Sequence, residues 1–324
     1  MRTNASNLLE DATGFWIPTP MATQLKTTIE AWVHCGHTGA LVIGEARLGK
    51  TRAFKALEDQ IIDRNGHPIP IFFTHYGYRD QQSIRAVFAQ LARRLEYKAR
   101  RRLNSDDLRD DVALRLSDAA ASNQARRVVL IIDEAQMLSI EQLDAYADLH
   151  NELVESKVNC SMFFVANRDQ FGPMLRALLR KENEYLVERF FIDIAHFYGI
   201  RSEKELRACL AGYDSYVVTQ NPTSVATEYF CPMLYEQGWR LADIAPIYWR
   251  RYREDYGIPE RMSSWGMAKF TRATNLLLMD YLPYCTDRED QAALEACVIR
   301  SLEGACTTSK LIKLLGEPGL NDDD

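Results

Sequence analysis

Long apolar runs are missing from this sequence. The longest, Val128 to Ile132 and Met162 to Ala166, hold five residues each, far short of the roughly 20 that cross a bilayer as a helix. The amino terminus, Met1-Arg2 followed by Asn4, Ser6 and Asn7, lacks the apolar stretch that follows the positive charge of a secretory leader. Export is therefore not expected, and a cytoplasmic location is. Cysteine is sparse and unpatterned: seven residues, an odd number, with no CxxC and no metal-type spacing. They read as buried thiols in a reducing compartment rather than as a disulfide framework or zinc site. No internal repeat is present, and Asp322 to Asp324 is the one low-complexity stretch. What remains is a chain of 324 residues, 47% hydrophobic and 26% charged, with ample material for a core. Disorder, collagen and coiled coil are excluded as the main architecture. The net charge of −6 argues against a uniformly basic nucleic-acid binder but says nothing about local patches.

The first half alternates apolar runs with amphipathic stretches. A helix is predicted over 21–35, then a strand over 40–43, a helix over 50–63, a strand over 69–74 and a helix over 83–102. Helix 106–121, strand 128–132, helix 140–156, strand 162–166 and a fifth strand over 190–194 follow. Such alternation predicts a doubly wound α/β domain, because right-handed crossovers place helices on both faces of a parallel sheet. Beyond it the pattern is helical: 203–211, 225–237, 241–256, 263–281 and 288–302, with Pro246 inside one segment as an expected kink. The expected organisation is an N-terminal extension (1–20), an α/β core (21–195), an all-α lid with C-terminal helices (196–310) and an acidic tail (311–324).

Gly44-Glu45-Ala46-Arg47-Leu48-Gly49-Lys50-Thr51 matches the phosphate loop GxxxxGK(S/T), with an apolar strand directly before it and a helix directly after it. There, backbone N–H groups and a helix N-terminus surround phosphates, and lysine reaches the terminal ones. About 80 residues on, Val128 to Ile132 ends in Asp133-Glu134. In a P-loop enzyme the first acid holds Mg2+ together with the loop threonine, and the second polarises the attacking water. A third strand ends in Asn167, which either orients that water or simply forms a turn.

Loop, acid pair, polar strand end and helical lid in this succession resemble the AAA+ ATPases. More narrowly, Ile132-Asp133-Glu134-Ala135-Gln136-Met137-Leu138 and the loop context resemble the TnsC/TniB family, AAA+ regulators of heteromeric DNA transposons, including CRISPR-associated ones. The resemblance covers roughly residues 15 to 255. It implies ATP and Mg2+ as cofactors, with Lys50 and Thr51 on phosphate and magnesium, Asp133 supporting the metal, Glu134 as catalytic base and Asn167 as sensor. It also implies an arginine supplied to a neighbour's site: Arg189, with Arg176 and Arg180 as rivals and a structural ion pair as the alternative. Gly238-Trp239-Arg240 resembles the second sensor, its arginine reaching the γ-phosphate. The partners implied are duplex DNA, further copies in a ring or helical filament, a transposase and a target-selection protein.

Two segments bear on DNA. Arg93, Arg94, Lys98, Arg100, Arg101 and Arg102 stand against Glu96 alone, a local +5; they are phosphate contacts or a charged helix end. Tyr76, Tyr78 and Arg79 follow the second strand, where many DNA-encircling AAA+ proteins place pore-facing residues; core tyrosines are the alternative. Neither segment offers a base-reading motif, so the binding expected is largely sequence-independent. Arg250, Arg251 and Arg253 near Trp249 and Tyr252 form a third cluster, read as a subunit or partner surface. A protein-partner ATPase of secretion or signalling type without DNA binding, and a helicase loader, are the competing functions.

Overall fold

The computed structural model describes residues 16–58, 60–77, 83–95, 104–218 and 221–306. The described residues divide into two compact units, one within 21–198 and one within 199–306 joined by 16–20.

In the first unit the order is α1 (Pro20–Cys35), β1 (Gly39–Gly44), α2 (Lys50–Lys55), β2 (Ile71–His75), α3 (Ile84–Arg94) and α4 (Ser105–Ala120). Then come β3 (Arg127–Asp133), α5 (Ile140–Glu155), β4 (Asn159–Asn167), α6 (Gly172–Leu178), α7 (Glu184–Phe190) and β5 (Ile194–His196). The five strands form one parallel sheet in the order β2-β3-β4-β1-β5, the doubly wound α/β sheet of the AAA+ fold. β1 is buried throughout and β3 and β4 nearly so, which is why they read as unbroken apolar runs rather than as alternation. Helix starts follow their caps. Ser83 accepts from Ala86 N–H, Asn104 and Asp107 close a capping box on α4, and Ser139 and Gln142 close one on α5.

Three elements differ from the expected ones. The helix predicted over 50–63 stops at Lys55; farther on, the Asp63 carboxylate accepts from Asn65 and His67 N–H and holds that stretch as a tight turn. The fifth strand lies at Ile194–His196, not at 190–194. Phe190 ends α7, where Leu186 and Phe190, one helical turn apart, are both fully buried. The helix predicted over 83–102 is seen to Arg94; residues 96–103 lie outside the described ones.

The second unit holds α8 (Glu203–Ser215), a small hairpin of β6 (Val217–Val218) and β7 (Asn221–Val225), α9 (Ala226–Phe230), α10 (Pro232–Glu236), α11 (Ala245–Tyr252), α12 (Met267–Leu276) and α13 (Gln291–Cys306). The hairpin departs from the all-helical expectation. Pro232 divides the segment predicted as 225–237; the segment predicted over 241–256 is helical throughout, and Pro246 lies where its opening 3-10 turn Leu241–Ile244 passes into the first turn of α11, a place where proline is tolerated. Trp265, fully buried, centres this unit: Tyr252 stacks on it at 4.0 Å, and Tyr248 and Phe270 meet it edge-on. Arg250 and Arg251 both pair with Glu295 at 2.6 Å, and Arg253 lies over Trp249. This cluster, read as a subunit or partner surface, thus spends two of its cations inside its own unit. Cys160, Cys209, Cys231, Cys285 and Cys306 are buried as expected, but Cys35 is exposed. No helix among the described residues is long and apolar enough to cross a membrane.

Candidate functional site

Because β1, β3 and β4 run parallel, their carboxyl ends reach one edge of the sheet, where open α/β sheets bind ligands. Register sets the neighbours: Gly44 pairs with Asn167, Asp133 with Val165 and His75 with Asp133. The turn from β1 into α2 runs through two left-handed residues, Arg47 (φ 60°) and Gly49 (φ 95°); at Gly49 the absence of Cβ makes that conformation inexpensive. Gly44 is required for a different reason. A Cβ there would lie 2.3 Å from the Phe197 carbonyl oxygen, in the backbone that follows β5. We expect Gly44→Ala to cost about 2–3 kcal/mol as an overpacking change, seen calorimetrically as a Tm lower by about 5–10 °C.

Within the loop, Ala46 and Arg47 are exposed and Leu48 is buried as its anchor. Lys50 Nζ donates to the carbonyl oxygens of Gly44 at 2.7 Å and Glu45 at 2.6 Å. Burial holds its pKa below the ordinary lysine value, opposed by the charges of Glu134, Asp133, Asp169 and Glu45. Thr51 Oγ1 donates to Asp133 Oδ2 at 2.7 Å, and the other Asp133 oxygen accepts from Glu134 N–H at 3.0 Å. His75 Nδ1 lies 3.4 Å from Asp133 Oδ2, so that His75, Asp133 and Glu134 bring three ligand atoms within 4.8 Å of one another. A hydroxyl and two carboxylates are hard oxygen donors, the set that suits Mg2+; the residues present fit that ion.

Glu134 sits at φ 58°, a left-handed position unusual for a residue with a Cβ. It begins the short turn Ala135–Met137. Its carboxylate accepts from Gln136 Nε2, while Gln136 Oε1 accepts from Asn167 N–H at 3.0 Å. Asn167 uses its own Oδ1 to accept from Asp169 N–H at 3.2 Å, so its amide forms the turn that was one of its two readings, at the same edge as the loop. Next to it, Arg168 bridges to Glu45 of the loop at 2.8 Å. Sequence reasoning gave no role to His75, Gln136 or Arg168. Gln136 follows Glu134 by two residues in a motif noted for resemblance alone.

Arg189 is placed differently. Thr38, just ahead of β1, donates from Oγ1 to the Arg189 carbonyl oxygen at 2.6 Å, which puts Arg189 at the amino edge of the sheet. Gly44 lies at the far end of the strand, about 20 Å away at 3.3 Å per residue. Arg189 therefore cannot serve its own loop. Its guanidinium donates to Ala147 O at 3.1 Å and to Asn151 Oδ1 at 2.7 Å. Arg176 and Arg180 are exposed. Arg240, in the second unit, lies 3.7 Å over the Tyr235 ring and donates to the Tyr235 and Trp239 carbonyl oxygens.

Of the DNA candidates, Arg93 and Arg94 are exposed at the end of α3. Tyr76 corrects an expectation: it is 3% exposed, its hydroxyl 2.8 Å from that of Tyr146. A phenol so enclosed is a core residue and offers no face to a phosphate backbone. Tyr78, Arg79, Lys98, Arg100, Arg101 and Arg102 lie outside the described residues.

Residues 35–175 match the family model described as an AAA domain. No curated protein matches the chain. Among solved structures it is similar to the ORC2 protein of Aeropyrum pernix in its ADPNP–ADP complexes, at 15% identity over 94% of this chain and 73% of that one, TM-score 0.47. It is also similar to Cdc6p from Pyrobaculum aerophilum (13% identity, 95% and 88% covered, TM-score 0.43) and to C. elegans PCH-2 (13%, 94% and 72%, TM-score 0.44).

Proposed function

Taking residues 35–175 as an AAA-type P-loop ATPase domain, which hydrolyses ATP to ADP and phosphate, we propose that this chain is an ATP-dependent, largely sequence-independent DNA-binding regulator of DNA transposition. It oligomerises on duplex DNA as a ring or filament and links a target-selection protein to a transposase. Hydrolysis drives disassembly.

The nucleotide half of this reading is supported by the Thr51–Asp133 contact of 2.7 Å at the end of a phosphate loop. In it, Lys50 and the loop amides bind the phosphates, and Thr51 and Asp133 would hold Mg2+, which would supply positive charge against them. Glu134 takes the proton of the attacking water, and Asn167 orients that water. An arginine from the neighbouring copy completes the site; Arg189, with Arg176 and Arg180 as rivals, fills that role, and Arg240 reaches the γ-phosphate from the lid. The DNA half is carried by the local +5 between Arg93 and Arg102 in a chain of net charge −6. The transposition assignment is supported by the resemblance of the Ile132–Leu138 stretch.

The test is DNA affinity as a function of salt, with a slowly hydrolysed ATP analogue bound. Removing Arg93 and Arg94 as one group, and Lys98, Arg100, Arg101 and Arg102 as another, should flatten the slope of log affinity against log salt. Each DNA phosphate left without its cation changes that slope by about 0.9, equally for unrelated duplexes. Nucleotide binding should be unaffected. If the groups change nothing while Arg79→Ala weakens binding, the contact lies in the loop after β2. A wild-type chain with no DNA affinity in the presence of ATP would overturn the reading in favour of an ATPase that acts on protein partners.

A further inference from the structure

Gln136 is the residue around which the two catalytic strand ends are tied together, and nothing in the phosphate-loop chemistry requires a glutamine there. Its amide orientation is fixed by its partners. Asn167 N–H can only donate, so the group 3.0 Å from it must be the Gln136 carbonyl oxygen. That leaves the Gln136 NH2 directed at the Glu134 carboxylate and, at 3.3 Å, at the side-chain oxygen of Gln170. One half-buried side chain thus spans the end of β3, the end of β4 and the turn after β4. That turn connects onward to the phosphate loop through Arg168 and Glu45.

From this geometry we infer that Gln136 is a positioning residue: it holds the Glu134 carboxylate and registers it against the tip of β4, so that the hydrolysis rate depends on Gln136 through Glu134. The inference rests on the reading of Glu134 as the base. Three features support it. Glu134 occupies a left-handed backbone position, a strained conformation that persists when its surroundings over-determine it. A carboxylate on the short link to the next turn has freedom of its side-chain torsions to lose, and a donor fixed at its other end removes that freedom before the reaction. The bond is also of the charge-assisted type, stronger than one between neutral groups.

The test is steady-state ATP hydrolysis by the full chain, with nucleotide affinity measured separately by a fluorescent ATP analogue. Gln136→Met keeps the length and removes all three hydrogen bonds. It should lower kcat about 10- to 30-fold, the effect of one charge-assisted hydrogen bond, with KM and nucleotide Kd changed less than about twofold and Tm unchanged. Gln136→Glu separates the bond to Asn167 from the bond to Glu134, since it keeps an acceptor for Asn167 N–H and sets a carboxylate against Glu134. It should be at least as slow as the methionine variant. A Gln136→Glu chain with wild-type turnover would show that only the tie to β4 matters and would overturn the role through Glu134. In the Glu134→Gln background Gln136→Met should cause no additional loss, because a residue acting through another has no effect once that one is gone. Losses that multiply, or a Gln136→Met chain as fast as or faster than wild type, overturn the inference. Should Glu134→Gln itself hydrolyse ATP normally, the assignment of the base fails; with Glu134→Gln inactive and Gln136→Met normal, only the present inference does.

Discussion

A Lys50→Ala chain is expected to lose ATP binding at micromolar nucleotide and, with it, nucleotide-dependent assembly on DNA. The lysine ammonium is the half-buried cation of the phosphate loop, where Arg47 is exposed, and its burial makes it sensitive to what surrounds it: the interior pushes its pKa down while Glu134, Asp133, Asp169 and Glu45 push it up. A triphosphate taking the place of its two carbonyl partners adds further negative charge and favours the charged form. Removing one partner of a buried charge pair costs about 3–5 kcal/mol, which at 1.4 kcal/mol per decade weakens Kd by about two to three and a half orders of magnitude. Titration with a fluorescent ATP analogue measures this, and electron microscopy with duplex DNA measures the assembly. The empty loop changes too, since Lys50 cross-links the Gly44 and Glu45 carbonyl oxygens, so a melting curve should accompany the titration. A variant that melts as wild type does and still forms assemblies with ATP would show that nucleotide does not drive them.

The second large effect concerns Glu134. Glu134→Gln conserves shape and leaves the Thr51–Asp133 contact in place, so ATP affinity should stay within about threefold of wild type. The amide cannot take a proton from water, and loss of a positioned general base lowers kcat by about 10² to 10⁴. Binding retained with turnover lost is the pattern of an interaction used in the transition state alone. If hydrolysis drives release, the variant should also remain assembled on DNA after excess ATP is added, where wild type disperses. Single-turnover phosphate release measures the first expectation and light scattering the second. Turnover at the wild-type rate would remove Glu134 from the role of base.

Both expectations follow from local sequence, because the relevant information is local. A phosphate loop is a turn fixed by its glycines at set spacing, between an apolar strand and a helix. An acid pair at the end of five apolar residues must lie where a strand buried on both faces emerges. Alternation of strand and helix determined the parallel sheet for the same reason: each crossover is a local consequence of chain direction and handedness. Where local signals conflicted, the reading failed. Phe190-Phe191-Ile192 is apolar enough for a strand, yet Leu186 and Phe190 share a helical face, and only packing against the sheet favours the helix. Pro246 was legible as a break in helical pattern, but whether it kinks a helix or begins one depends on the turn before it.

What the sequence determined by itself, then, is the phosphate loop, the acid pair and the alternation of strands and helices, each written in spacings of a few residues. Tertiary structure decided which side chains share a neighbourhood. Tyr76 and Tyr146 are 70 residues apart, and only the pairing of β2 beside β3, with α5 packed over the sheet, closes their hydroxyls together and removes Tyr76 from any surface. Thr38 and Arg189 are separated by 151 positions; their contact sets Arg189 at the amino edge, beyond reach of its own loop. Gln136 meets Asn167 across 31 positions because β3 and β4 are neighbours in the sheet. The physical reason is the same in each case: hydrogen bonds between parallel strands fix which residues lie side by side, and strand order cannot be read from any one strand.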